Sequence, residues 1–173
     1  MQLSRQHFPP RPGPKMRFLV VKHTTEEGYI VLSRKVSSAV IHWVCRRSVP
    51  CVRTYDDFGR PVEDGKVCPN CNPETPRRWQ GYLHVMNKTG SLEYFLCLPP
   101  GAGWELLTNL PPDYDLRGKR LYARREGTAQ TCPLFLRLDP NYTASCDLPI
   151  ERDPGKFLDG LFAKVRHLTQ QPA

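Results

Sequence analysis

The chain has 173 residues, a formal net charge of +8 and 39% hydrophobic residues, the size of one ordinary domain. No run approaches the roughly 20 apolar residues of a membrane helix, so a helical membrane protein is excluded. The seven cysteines are odd in number and no apolar export run opens the chain. A reducing, cytoplasmic setting with free thiols or a metal site is expected, not a disulfide framework or secretion.

Charge is uneven. Residues 1–80 hold fourteen Lys and Arg against seven Asp and Glu, whereas residues 81–173 hold eleven against ten. A second concentration stands at Arg117, Lys119, Arg120, Arg124 and Arg125. Such a distribution attracts polyanions, because neutralising phosphates releases condensed counterions.

Residues 1–16 are Pro-rich and basic without apolar periodicity, which predicts a flexible basic arm. Phe18–Val21 suggests an edge strand, and Tyr29–Leu32 and Ala39–Val44 are short β-branched and aromatic runs that predict strands. Residues 46–78 then carry seven Pro and Gly and almost no periodicity. A structureless stretch of that length inside a domain needs something else to order it. Strand character returns at Trp79–Met86, turns over Asn87–Gly90, and runs back through Ser91–Leu98. Residues 101–109 allow a short helix between Pro-Pro pairs. Arg117–Glu126 and Pro133–Leu138 predict a second hairpin. Asp153 and Pro154 then start a closing helix with an apolar face of Phe157, Leu158, Leu161, Phe162, Val165 and Leu168.

This order resembles the oligonucleotide/oligosaccharide-binding (OB) fold. The resemblance implies a mainly β, OB-like five-stranded barrel over residues 17–138. A zinc-binding insertion would occupy residues 42–78, with a linker and C-terminal helix over residues 139–173.

Cys68-Pro-Asn-Cys71 is the sharpest motif. Two thiolates two residues apart in a tight turn can share one metal, and tetrahedral zinc needs two more ligands from elsewhere. Cys51 supplies a third, and the fourth is His42 or Cys45. These two lie three apart on an extended segment, so only one can face the ion. The order His42, Cys51, Cys68-x-x-Cys71 is similar to that of the single-stranded-DNA-binding proteins with a zinc subdomain, as found in T-even phages. That resemblance implies His42 as the fourth ligand, one structural Zn²⁺, and a role in DNA replication or recombination in a phage or mobile element. The chain departs from that family in its last helix, where Lys156, Lys164, Arg166 and His167 are basic in place of an acidic tail. The remaining Cys97, Cys132 and Cys146 are expected to be buried thiols.

Catalysis is not expected. A deaminase-type zinc site needs His-x-Glu, but Trp43 and Val44 follow His42. No nucleophile–base constellation stands at a recognisable spacing. Alternation along the second hairpin instead places Arg120, Tyr122 and Arg124 on one face, with Phe135 and Arg137 beside them on the partner strand. Guanidinium groups for phosphates and rings for bases suit single-stranded nucleic acid. Tyr82 is a further candidate platform, and Arg46, Arg47, Arg77 and Arg78 bring charge to the metal loop. Trp43 and Trp104 are assigned to the core. The expected partner is single-stranded DNA, with RNA or replication proteins as alternatives. A zinc-ordered protein adaptor is the competing reading.

Overall fold

A computed structural model of the chain describes residues 16–44, 47–55, 60–144, 147–154 and 156–157. Among these residues, eight strands and one complete helix follow in order. They are β1 (Arg17–Leu19), β2 (Glu27–Val31), β3 (Ser37–Val44), β4 (Arg47–Pro50), β5 (Arg78–Asn87), β6 (Glu93–Leu98), α1 (Pro100–Asn109), β7 (Arg120–Arg125) and β8 (Leu134–Asp139). The mainly β character and both hairpins stand where the apolar alternation put them. β4 lies inside the segment read as irregular, where Pro50 and three charged or polar neighbours gave no alternation to see.

The strands form one mixed sheet in the order β1-β6-β5-β2-β7-β8, with β3 paired to β5 and β4 to β3. The expected five-stranded barrel is not borne out: among the described residues the sheet has eight strands and is not closed, with β1 and β8 at the ends of its path. β1 joins β6 in parallel. β2 and β3 share one edge of β5, β2 pairing with its residues 85–87 and β3 with residues 78–82. They behave as one long strand interrupted at residues 32–36. β5 is the longest strand and carries neighbours along its whole length.

The main core lies on one face of the sheet, from Tyr29 and Val31 through Leu83, Val85, Leu96 and Leu98 to Leu121, Ala123 and Leu134. α1 plugs this face with Ala102 and Leu106. Pro99 and Pro100 start the helix, where a missing N–H costs nothing. The helix leans on both β5 and β8, strands that β2 and β7 separate, so the sheet curls around it. Trp79 lies against Gly81 and Gly103, and a Cβ at Gly103 would fall inside its ring. Trp104 stacks on Trp79 at 5.5 Å between ring centroids.

The other face is shared. Ile30, Leu32 and Met86 are covered by Tyr142, Ala144 and Leu148, and Phe157 packs on Phe18 and Phe95. Arg117 pins this returning segment by donating to the carbonyls of Leu32, at 2.6 Å, and Pro149, at 2.7 Å. The backbone is helical at Pro154, Lys156 and Phe157, which is where a closing helix was expected to begin. The rest of that helix and the N-terminal arm to residue 15 lie outside the described residues. No helix among the described residues is long and apolar enough to cross a membrane.

Candidate metal centre and nucleic-acid interface

β3 decides the metal site. Its pleat sends alternate side chains to opposite faces, so His42 is fully buried while Trp43 is 56% exposed. Trp43, expected in the core, is exposed for the same reason that makes His42 a ligand candidate. The ligand atoms of His42, Cys51, Cys68 and Cys71 all lie within 4.8 Å of one another. Nε2 of His42 is 3.6 Å from Cys68 Sγ and 3.5 Å from Cys71 Sγ, and Cys51 Sγ is 3.5 Å from Cys71 Sγ. A tetrahedral ion bound at ordinary N and S distances holds its ligand atoms about 3.6–3.8 Å apart. A disulfide would need about 2.05 Å between sulfurs. The group has the dimensions of a metal cage. Cys45, the alternative fourth ligand, lies outside the described residues.

The surrounding loop holds the ligands in place. The backbone N–H of Cys71 donates to the Cys68 carbonyl and closes the Cys-x-x-Cys turn. Asn72 Oδ1 accepts from the backbone N–H groups of Glu74 and Thr75, an Asx-type turn that presents the Thr75 carbonyl. His42 Nδ1 donates to that carbonyl at 2.7 Å, which fixes the tautomer and leaves the Nε2 lone pair facing the sulfurs. Tyr55 Oη lies 2.9 Å from Cys51 Sγ, and Arg77 hydrogen-bonds to Tyr55. Burial and this contact with Cys51 push Tyr55 up to about 12.

Three thiols around one point cannot all ionise without a cation. Burial and the neighbouring Cys51 and Cys68 push the Cys71 thiol up to about 11. Cys68 comes down to about 7 despite burial, because the N–H groups of Val52 and Asn70 and the adjacent thiols stabilise its thiolate. A bound cation would resolve this competition by stabilising all three thiolates together. The residues can hold one metal ion through three sulfurs and one nitrogen.

The second site is the face of β7 and β8 left open by the returning segment. Arg120, Tyr122 and Arg124 stand on it together, and the register sets Arg137 opposite Tyr122 and Phe135 opposite Arg124. Leu121 and Ala123 point into the core. The rings are not bare platforms. The guanidinium of Arg137 lies over Tyr122 at 4.2 Å, that of Arg124 over Phe135 at 4.7 Å, and that of Arg120 over Tyr142 at 3.7 Å. Gly28 faces Tyr122 across the β2–β7 ladder, and a Cβ there would stand 3.1 Å from the ring. Its absence lets Tyr122 lie low over β2. Tyr142 was not anticipated, because it follows the hairpin in an irregular segment and reaches Arg120 only in three dimensions.

Other expected contacts divide. Tyr82 is only 4% exposed, packed with Ile41 and Cys97, and burial, with Cys97 beside it, pushes its hydroxyl well above the ordinary range. It offers no platform. Arg125 is also buried, bonding the carbonyls of Val21, Gln130 and Cys132, so two of the five clustered cations, Arg117 and Arg125, are structural. Arg77 and Arg78 are exposed beside the metal loop. Arg46 lies outside the described residues, and Arg47 is described in its backbone alone. Trp43, with no basic neighbour on its own strand face to mark it, is an exposed aromatic beside the insertion. Of the thiols expected to be buried, Cys97 is buried, Cys132 is half-buried, and Cys146 lies outside the described residues.

Comparison with known proteins found no matching family model and no curated protein or solved structure of significant similarity.

Proposed function

We propose that the chain binds single-stranded DNA without reading a defined sequence, and that a structural zinc ion orders its insertion. The observation that carries the first statement is the row of three guanidinium–ring pairs on the open face of β7 and β8. Guanidinium groups held over aromatic rings keep donors ready for phosphates and offer surfaces on which bases stack. Pre-stacking also means that less side-chain freedom is lost on binding. Trp43 adds a further exposed ring near the metal loop, where Arg77 and Arg78 add charge.

Zinc is the ion that a set of three thiolates and one imidazole suits, with no position left open for catalysis. His42, Cys51, Cys68 and Cys71 would hold it, and its role would be to tie the insertion to β3. The connectivity supports an OB-type course. With β2 and β3 counted as one bent strand, the chain runs through β5, β6, α1, β7 and β8, placing the helix between the third and fourth strands. Replication or recombination is the setting this reading suggests.

The test is fluorescence anisotropy with oligothymidine at two salt concentrations. Binding should weaken steeply with salt, as phosphate contacts require. Arg120→Glu should weaken it by roughly tenfold or more, the scale of a lost cation plus a repulsive charge. Absence of binding at low salt would overturn the reading. Native mass spectrometry should show one zinc per chain, lost in Cys68→Ser.

One observation favours a second reading. Trp43, Val52, Val62 and Val67 are exposed on or beside the insertion, and exposed apolar side chains in one region suit a protein partner. A zinc-ordered adaptor would bind no oligonucleotide and would hold a stable partner in pull-downs.

A further inference from the structure

A cleft of about 620 Å³ opens at the rim of the sheet where β2 begins, beside the row of guanidinium groups. That volume lies in the range of small-molecule sites, about 300–1,000 Å³. Its lining combines three kinds of group: the rings of Tyr94 and Tyr122, the cations Arg120 and Lys88, and the carboxylates Glu26 and Glu27. Cations and rings alone would suit any nucleotide. Carboxylates repel phosphate, so their place in the cleft selects for a part of the ligand that donates hydrogen bonds.

The two carboxylates are not equivalent. Glu26 is consumed by Arg137, with Oε1 at 2.5 Å from Nη2 and Oε2 at 3.4 Å from Nε. This pair in turn steadies the guanidinium over Tyr122. Glu27 is engaged through one oxygen only: Oε2 accepts from the Tyr29 hydroxyl at 3.0 Å and lies 3.3 Å from His23 Nε2. Oε1 takes no hydrogen bond among the described residues. Tyr29 is itself buried in the core, so the Glu27 carboxylate is anchored from below with one acceptor to spare.

We propose that this cleft receives one unpaired base of the bound strand and favours bases with an exocyclic amino group, which donates to Glu27. The inference rests on the nucleic-acid reading above. Tyr94 and Tyr122 would contact the base, while Arg120 and Lys88 would hold the phosphates on either side. Cytosine presents its N4 amino group to a carboxylate in just this pairing. Uracil has a carbonyl at the same position, which sets acceptor against acceptor.

The experiment compares deoxycytidine and deoxyuridine oligomers of about twelve nucleotides, within the reach of one such fold, by anisotropy at low salt. The full chain should bind the cytidine oligomer roughly tenfold more tightly, the scale of one charge-assisted hydrogen bond. Glu27→Ala should abolish the preference by weakening cytidine binding while leaving uridine binding equal or stronger. Because the first comparison uses the unaltered protein, it stands even if the variant folds poorly. Equal affinity for the two oligomers, or a preference retained in Glu27→Ala, would overturn this inference and leave the broader one intact. No binding of either would overturn both.

Discussion

At the scale of single residues, the candidate metal site and the tryptophan cluster show how much one side chain can fix. His42 has one nitrogen committed to the Thr75 carbonyl, so the other is presented to the sulfurs in one orientation. Gly103 plays the opposite part, by having no side chain. Trp79 occupies the space that a Cβ would need, and with Trp104 stacked on it and Gly81 also close to its ring, it has little room to retreat. Gly103→Ala should destabilise the fold by about 1–3 kcal/mol through overpacking, although alanine is the better helix former. Chemical denaturation of the two proteins checks the sign; a gain in stability would mean the ring can move. The exposed face obeys the same logic. Gly28 lets the Tyr122 ring approach β2 closely, and Arg137 covers that ring.

At the scale of elements, the segment after β8 determines which part of the outer sheet face is open. It covers the side of β5 and β6 where His84 and Phe95 are buried, and leaves Arg124, Phe135 and Arg137 of β7 and β8 exposed. Its docking includes a buried titratable group. His84 Nε2 lies 2.9 Å from Glu93 Oε2, and the backbone N–H of Arg152 donates to Nδ1 at 3.0 Å. Ser33 bonds the backbone of His84, Phe95 flanks the ring, and Glu151 and Arg152 are the charges facing it from the segment. Only the neutral imidazole satisfies both contacts, since a proton on Nδ1 would confront the Arg152 N–H. Burial holds the His84 pKa below its ordinary value, against the pull of Glu93. The folded protein therefore binds fewer protons here than the unfolded chain does. Its contribution to stability is present above about pH 6.5, the unperturbed histidine value, and is lost as pH falls through the depressed folded value. Urea midpoints across this window should fall with pH, and the His84→Gln variant should lose that part of the dependence. A midpoint that does not move would remove His84 from the account.

At the scale of the whole molecule, the main core and the insertion draw on different forces. The curled sheet and α1 bury a continuous apolar cluster, sufficient reason for that part to stand without metal. The insertion contributes few apolar side chains to any core and leaves Val52, Val62 and Val67 exposed. Its order should depend on the ion, as in small metal-stabilised modules. Chelation should raise amide hydrogen exchange across residues 47–77 while β5, β6, β7 and β8 keep their protection. Loss of protection throughout would mean that the insertion and sheet unfold as one unit.

The sequence alone determined the local features. Period-two alternation located the hairpins, the proline pairs bounded α1, and Cys68-Pro-Asn-Cys71 marked a turn with two thiols on one side. These are short-range consequences of backbone sterics and pleat, and they survive whatever the rest of the chain does. Tertiary structure decided the rest. Whether the sheet closes depends on how far it curls over α1, which no strand encodes by itself. Tyr82 and Tyr122 both alternate with apolar neighbours, yet Phe18, Ile41 and Cys97 bury the first while the second lines an open cleft. Arg117 and Arg125 look like surface charge until carbonyls 80 or more residues away in sequence take their hydrogen bonds. The same holds for Trp43: its exposure follows from His42 facing the sulfurs, a contact formed across 26 residues of sequence. Burial is a property of the neighbours that long-range contacts supply, and a linear pattern does not contain them.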